Sequence, residues 1–267
     1  MRIILFSKMF QSMPMERFAD LAVDMGFEGI DLTVRPGGYI EPSDASWKLP
    51  EALKIFESRG LSIPMITTSI VSSDEPYAKE IFSKTSELGI RYIKLGYWRY
   101  RGFRYLKRQI EEVRESLKGI EKLCREYNVT AGLHTHSGMY MTAEPAILGS
   151  ILEGFDPEYI GAYIDPGHMT VEGGLAGWLM GMDILGDRIV MVAVKDFGWI
   201  KTERGWVAHT VPLGEGLVPW KKVFEILKEI GFKGPISLHS EYHEDLDKII
   251  DITREDIAYI KGIASGL

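Results

Sequence analysis

Short apolar runs rich in Val and Ile alternate along the chain with longer segments in which apolar residues recur every three or four positions. The short runs fall at 2–7, 28–33, 61–67, 91–96, 129–135, 159–165, 188–195 and 235–240. Their length and β-branched content predict strands. The longer segments, at 15–25, 50–59, 76–88, 105–127, 219–230 and 246–263, carry a charged face and predict amphipathic helices. Several of these should stop at a glycine just before the next strand, as in Met25-Gly26-Phe27, Arg59-Gly60-Leu61, Leu88-Gly89-Ile90 and Ile230-Gly231-Phe232. Glycine accepts the left-handed conformation that ends a helix. Eight strands alternating with helices over about 250 residues predict an α/β fold of the (β/α)8, or TIM, barrel type. The rival architecture, an open doubly wound sheet, calls for a glycine-rich phosphate loop after the first strand. Ser7-Lys8-Met9-Phe10-Gln11 stands there instead. No low-complexity linker interrupts the sequence, so a single domain over 1–267 is expected. The longest excursion, 197–218, contains Trp199, Trp206 and His209 and reads as a loop or hairpin over one end of the barrel.

Strand periodicity then sorts the side chains. Alternate residues of a barrel strand point inward, and active sites form where the strands end at their carboxyl side. In the fifth strand Thr130, Gly132, His134 and His136 share one face, opposite Val129, Ala131 and Leu133. In the sixth, Tyr163 and Asp165 oppose Ala162 and Ile164; in the seventh, Met191, Ala193 and Lys195 oppose Val190, Val192 and Val194. In the eighth, Ser237, His239 and Glu241 oppose Ile236 and Leu238, and the second and fourth strands add Asp31 and Lys94. The apolar faces should pack on the helices, leaving the polar set to converge at the barrel mouth. All six histidines lie between positions 134 and 243, at or just after predicted strand ends. His243, in the run Tyr242-His243-Glu244-Asp245, reads as a surface residue.

Composition narrows the chemistry. The 267 residues are 45% hydrophobic and 26% charged, ordinary for a globular protein with ample core. Thirty-one basic against 38 acidic residues give a net charge of −7, which offers no overall attraction for a phosphate backbone. The single cysteine, Cys124, excludes an internal disulfide and a thiolate-cluster metal site, and reads as helix core. No apolar run approaches the roughly 20 residues needed to span a bilayer, and the amino terminus lacks a secretory-signal pattern. A soluble cytoplasmic protein without nucleic-acid or membrane partners is therefore expected. The twelve methionines, Met9, Met13 and Met15 among them, read as gap-fillers.

Imidazole and carboxylate groups buried at a barrel mouth are costly unless they bind a metal, a substrate or one another. His134, Asp165 and His239 are the candidate ligands for a divalent ion, with Zn, Mn, Co and Fe all chemically suitable. Such an ion polarises a substrate carbonyl while a base, here Glu241, removes a proton from the neighbouring carbon. Lys195 is a candidate to stabilise the oxyanion. A Schiff-base role for Lys195 is the less favoured alternative, since the adjacent Asp196 would favour its charged form. Asp31, Lys94, His136 and Asp196 are candidate substrate contacts. Trp199, Trp206 and the pair Tyr97-Trp98 are equally candidates to stack on a sugar-like face or to serve packing. Gly173-Gly174 reads as a turn or a place of close ligand approach.

At this point the chain resembles the xylose-isomerase-like barrels, a superfamily of sugar-phosphate isomerases and epimerases that also includes inosose dehydratases and endonuclease IV. The resemblance runs over most of the sequence. It is carried by Gly26-Phe27-Glu28-Gly29-Ile30-Asp31-Leu32, His134-Thr135-His136-Ser137-Gly138 and Asp165-Pro166-Gly167-His168. It continues in Val194-Lys195-Asp196, Pro212-Leu213-Gly214-Glu215-Gly216 and Gly234-Pro235-Ile236-Ser237-Leu238-His239. It implies one divalent metal bound by Glu, Asp, His and Glu from strands five to eight. Here Asp165 matches the Asp, and His168 matches an accompanying histidine that contacts substrate and joins the catalytic set. His134 and His239 stand at the two Glu positions and Ala193 at the His position. The resemblance thus implies a sugar, keto-sugar or sugar-phosphate isomerase or epimerase, with a homo-oligomeric state common among such barrels. An inosose-dehydratase-like lyase is the first alternative. An endonuclease IV-like phosphodiesterase and a non-catalytic sugar-binding barrel follow.

Overall fold

The computed structural model describes residues 2–203 and 205–266. Eight parallel strands close into a barrel: β1 (Arg2–Phe6), β2 (Gly29–Thr33), β3 (Ser62–Thr67), β4 (Tyr92–Lys94), β5 (Thr130–His134), β6 (Ile160–Ile164), β7 (Ile189–Val194) and β10 (Pro235–Leu238). Around them lie α1 (Met15–Asp24), α2 (Ala45–Glu57), α3 (Ala78–Glu87), α4 (Leu106–Tyr127), α5 (Pro145–Leu152), α6 (Pro166–Leu185), α7 (Trp220–Glu229) and α8 (Leu246–Ser265). The barrel closes where β1 pairs with both β10 and β2, Leu5 lying opposite Leu238 on one side and Ile30 on the other. Between β7 and α7 an antiparallel hairpin, β8 (Asp196–Thr202) and β9 (Gly205–Val211), runs in register from Asp196 opposite Val211 to Thr202 opposite Gly205. The expected excursion is this hairpin.

The alternation of side chains builds two separate apolar regions. Outward residues such as Ala131, Leu133, Ala162, Ile164, Val192, Val194, Ile236 and Leu238 join the helices in one large core. Inside the barrel, Ile4, Met65, Tyr163, Met191 and Ala193 form a small plug of their own. The plug floors the barrel, so polar groups above it open toward the carboxyl ends of the strands. Cys124 lies buried in α4 on the same stripe as Val113, Leu117 and Ile120, as its spacing predicts. The four helix-ending glycines, Gly26, Gly60, Gly89 and Gly231, all take positive φ.

Three helices depart from the sequence reading. Helix α2 begins at Ala45, five residues before Pro50, which sits inside it and withholds one backbone donor from the helix. Helix α5 is short and opens at Pro145, and α6 is apolar and glycine-rich, so neither shows a charged face. The break expected at Gly173-Gly174 is real but local: Gly174 adopts φ 60°, ψ −140° and kinks α6 without ending it. Beyond that kink α6 exposes Leu175, Leu179, Met180 and Ile184. Among the described residues no helix is long and apolar enough to cross a membrane.

Candidate active site

Each strand delivers its functional group at or just past its last residue. His134 ends β5, Asp165 follows β6, Lys195 follows β7, His239 follows β10 and Lys94 ends β4. Asp165 does double duty: its Oδ1 accepts the backbone N–H of His168 at 3.1 Å, capping α6, while its own N–H donates to Thr135 Oγ1 at 2.7 Å. Capping fixes the carboxylate, leaves Oδ2 facing the barrel mouth, and brings His168 round by one turn. The helix start packs tightly on β7. A Cβ on Gly167 would lie 2.4 Å from the Lys195 carbonyl oxygen.

The three inward imidazoles are each held at one nitrogen by a hydroxyl. Tyr97 bonds His134 Nδ1 at 2.7 Å, Ser137 bonds His168 Nδ1 at 2.7 Å, and Tyr163 bonds His239 Nε2 at 2.9 Å. His134 also stacks on Tyr163, and His239 on Phe6. The opposite nitrogens, His134 Nε2, His168 Nε2 and His239 Nδ1, are buried without a hydrogen-bond partner, as is Asp165 Oδ2. Burial, reinforced by the cations nearby, drives the pKa of His134 and His168 well below the usual imidazole range, so both are neutral bases at physiological pH. His136 is lowered to about 4 by burial and by Lys195. Its Nδ1 engages the Ser137 carbonyl, and its ring lies 3.9 Å from that of His168.

Lys195 is the hub. Its ammonium, 3% exposed, lies 2.7 Å from Glu241 Oε2 and 3.5 Å from Asp165 Oδ2. Burial opposes the charge, but the two carboxylates outweigh it and hold the lysine pKa above its ordinary value. Burial likewise works against ionised Glu241, yet Lys195, His239 and Lys8 hold its carboxyl well below the usual carboxylate range. Lys8 also ion-pairs with Glu241 from the mouth of the cup. Lys94 stands over the Tyr97 ring at 3.6 Å, its pKa lowered to about 7 by burial and then by Arg35. Asp31 accepts from Thr67 and Ser237 at 2.8 Å each, with His239 Nε2 4.0 Å away; burial raises its pKa.

Glu241, Lys195, His168, His134, Asp165, His239, His136, Lys94 and Asp31 therefore come together. Two expected contacts do not. Asp196 turns away from the cup and spends its carboxylate on the N–H groups of Phe197, Gly214 and Val218 and on Trp220 Nε1, at 2.9–3.2 Å. The partners of Lys195 are Glu241 and Asp165 rather than its chain neighbour. Trp199 lies 44% exposed on the hairpin, and Trp206 is exposed beside it. His209 and His243 stack on each other, the latter at the surface as expected. Lys8, Arg35 and Phe6, which also line the cup, escaped the sequence reading. Their signal was available, since each ends or closely follows β1 or β2. A wider depression at the opposite end of the barrel, lined by Arg2, Arg91 and Lys233, contains neither histidine nor carboxylate.

The expected metal ligands lie in one cup, in two groups. His134 Nε2 lies 3.4 Å from Asp165 Oδ2, but His239 sits against Asp31 and Glu241 instead. Among the described residues no group of three or more His, Cys, Asp or Glu side chains is arranged to hold a metal ion. The ammonium of Lys195 lies beside the one carboxylate oxygen that His134 and His168 share.

A closed parallel barrel with a histidine- and lysine-lined cup at its carboxyl end defines a TIM-barrel protein. The model of the xylose isomerase-like TIM barrel family matches residues 19–263, and the chain belongs to that family. An uncharacterized protein of Methanocaldococcus jannaschii is 25% identical over 153 residues, covering 57% of this chain and 50% of that protein. The chain thus matches about half the length of this curated relative. Among solved structures, 3-keto-D-glucoside 4-epimerase from E. coli superposes with a TM-score of 0.75 at 15% identity, over 98% of this chain and 99% of that one. A xylose isomerase-like TIM barrel protein from Mycobacterium smegmatis, in complex with magnesium, gives 0.73 at 14% identity over 99% and 97%. At these identities the likeness is one of fold.

Proposed function

We propose that the protein is an isomerase or epimerase of a small sugar, keto-sugar or sugar phosphate, acting by proton transfer at the carbon next to a carbonyl. One observation carries the reading: four buried polar atoms that lack a hydrogen-bond partner, His134 Nε2, His168 Nε2, His239 Nδ1 and Asp165 Oδ2, converge on one cup. Each such atom costs about 1–3 kcal/mol while unsatisfied. A polyhydroxylated ligand supplies both donors and acceptors and removes that cost. The cup also holds what the chemistry needs. Lys195 is a fixed ammonium suited to a developing oxyanion, and His168 is a neutral base with its inward nitrogen free. Glu241, paired with two lysines, is a weak base and serves to hold Lys195 in place. Lys8 and Arg35 at the mouth suit the anionic end of a sugar phosphate. Delivery of that proton from His168 to the adjacent carbon, with the enediol hydroxyl proton passing from one oxygen to the other, gives an isomerase; an epimerase would need a separate acid, recharged from solvent, to protonate the other face of the same carbon.

The test is solvent exchange. Small ketoses, aldoses and their phosphates are incubated with the protein in heavy water, and deuterium at the carbon next to the carbonyl is followed by NMR. Incorporation with unchanged molecular composition is expected. Loss of one water from the substrate would instead indicate the lyase alternative, and no exchange across the panel would refute the reading.

A further inference from the structure

We propose that the Lys195 ammonium is the resident cation of this cup and excludes a divalent metal, so that the chain performs its chemistry metal-free. The exclusion stands on the placement and charge of the side chains; only the carbonyl role rests on the function proposed above. In the barrel β7 lies between β6 and β10. Lys195, at the end of β7, accordingly reaches Asp165 beside β6 on one flank and Glu241 beyond β10 on the other. It thereby occupies the carboxylate of Asp165, the single acidic member of the expected ligand set, and pairs with Glu241 as well. The next inward position down the strand, Ala193, packs its methyl in the barrel plug and offers no donor atom.

Charge points the same way. Glu241 is already shared between Lys195 and Lys8, and Asp165 Oδ2 has Lys195 at 3.5 Å. A dication placed between His134 and Asp165 would face a buried ammonium across a few ångströms, and both carboxylates that flank that ammonium are already engaged by it. Neutral imidazoles would be its remaining ligands, and His239 is turned toward Asp31 and Glu241.

The reaction step balances without a metal. The C–H bond next to the carbonyl breaks and its proton passes to His168 Nε2. The bonding pair becomes the C=C bond of an enediolate, and the carbonyl π pair moves to oxygen, where the Lys195 N–H groups hold the oxyanion. Reprotonation of carbon restores the imidazole.

Metal uptake is measured directly, so that the outcome is independent of whether a sugar is turned over. The freshly purified protein is analysed by inductively coupled plasma mass spectrometry and titrated calorimetrically with ZnCl2 and MnCl2. Less than about 0.1 metal per chain and no saturable binding are expected, with no fall in melting temperature after EDTA dialysis. Lys195→Ala should gain saturable, stoichiometric Zn2+ binding that the parent lacks, whereas Lys195→Arg, keeping the charge, should remain blind to it. Stoichiometric metal in the parent, or a Lys195→Ala variant as blind as the parent, would overturn the proposal. Should either variant fail to fold, the parent measurement decides.

Discussion

Lys94 gives the sharpest quantitative expectation. It is 3% exposed, and burial followed by the Arg35 charge takes its pKa from 10.5 to about 7, against the opposing pull of Asp31 and Glu241. At 1.36 kcal/mol per pH unit, that depression opposes folding by about 5 kcal/mol when the amine is charged. Between about pH 7 and 10.5 the unfolded chain binds the proton that the folded chain has released, so stability rises with pH across that window. The cost is in full force below pH 7 and fades toward 10.5. Lys94→Met removes the titration and keeps an unbranched side chain only one atom shorter. The variant should therefore be more stable than the parent by about 3–4 kcal/mol near pH 7, allowing for the lost contact with Tyr97. That advantage should shrink by about 3 kcal/mol near pH 10. Urea unfolding of both chains at both pH values measures it, and the comparison cancels every group the two share. An advantage that is absent, or that stays constant across the window, would refute the reasoning. Activity should fall in the same variant, since stabilising a site by removing a buried charge costs its function.

Asp196→Ala strands four donors at the root of the hairpin and should cost about 2–4 kcal/mol, read as a lower urea midpoint and faster proteolysis between β8 and β9. Unchanged stability would remove the carboxylate from its structural role. Gly167→Ala drives a Cβ against the Lys195 carbonyl and should destabilise by about 1–3 kcal/mol. It should also lower turnover more than substrate binding, because it parts Asp165 and His168 from Lys195; equal turnover would contradict that account.

Much of this was legible beforehand. The period-two alternation of β5, β6, β7 and β10 separated His134, Asp165, Lys195 and His239 from the helix-packed face, and strand ends lie within one or two residues of expectation. Asp196 was expected as a substrate contact; applying the same alternation one residue further would have turned it away from Lys195, which is where it points. Helices α5 and α6 were missed because their sequences carry no charged stripe to set against an apolar one. The metal question was closed to sequence for a different reason. Residue types name the donors, but only geometry shows an ammonium wedged between two carboxylates that lie 76 positions apart in the chain. Lys8 and Arg35 lie just past strand ends and were open to the same rule that found the others.

The anchorage of Asp196 has a practical consequence. Its four hydrogen bonds clamp the base of the β8–β9 hairpin directly beside Lys195, while Trp199, Ile200, Trp206 and Val207 at its outer reach stand in solvent. The ribbon is thus a removable module on a fixed socket. Its tip can be shortened, lengthened or exchanged for a foreign sequence while the root keeps the lysine in position, making it the natural graft point for retuning which molecules approach the barrel.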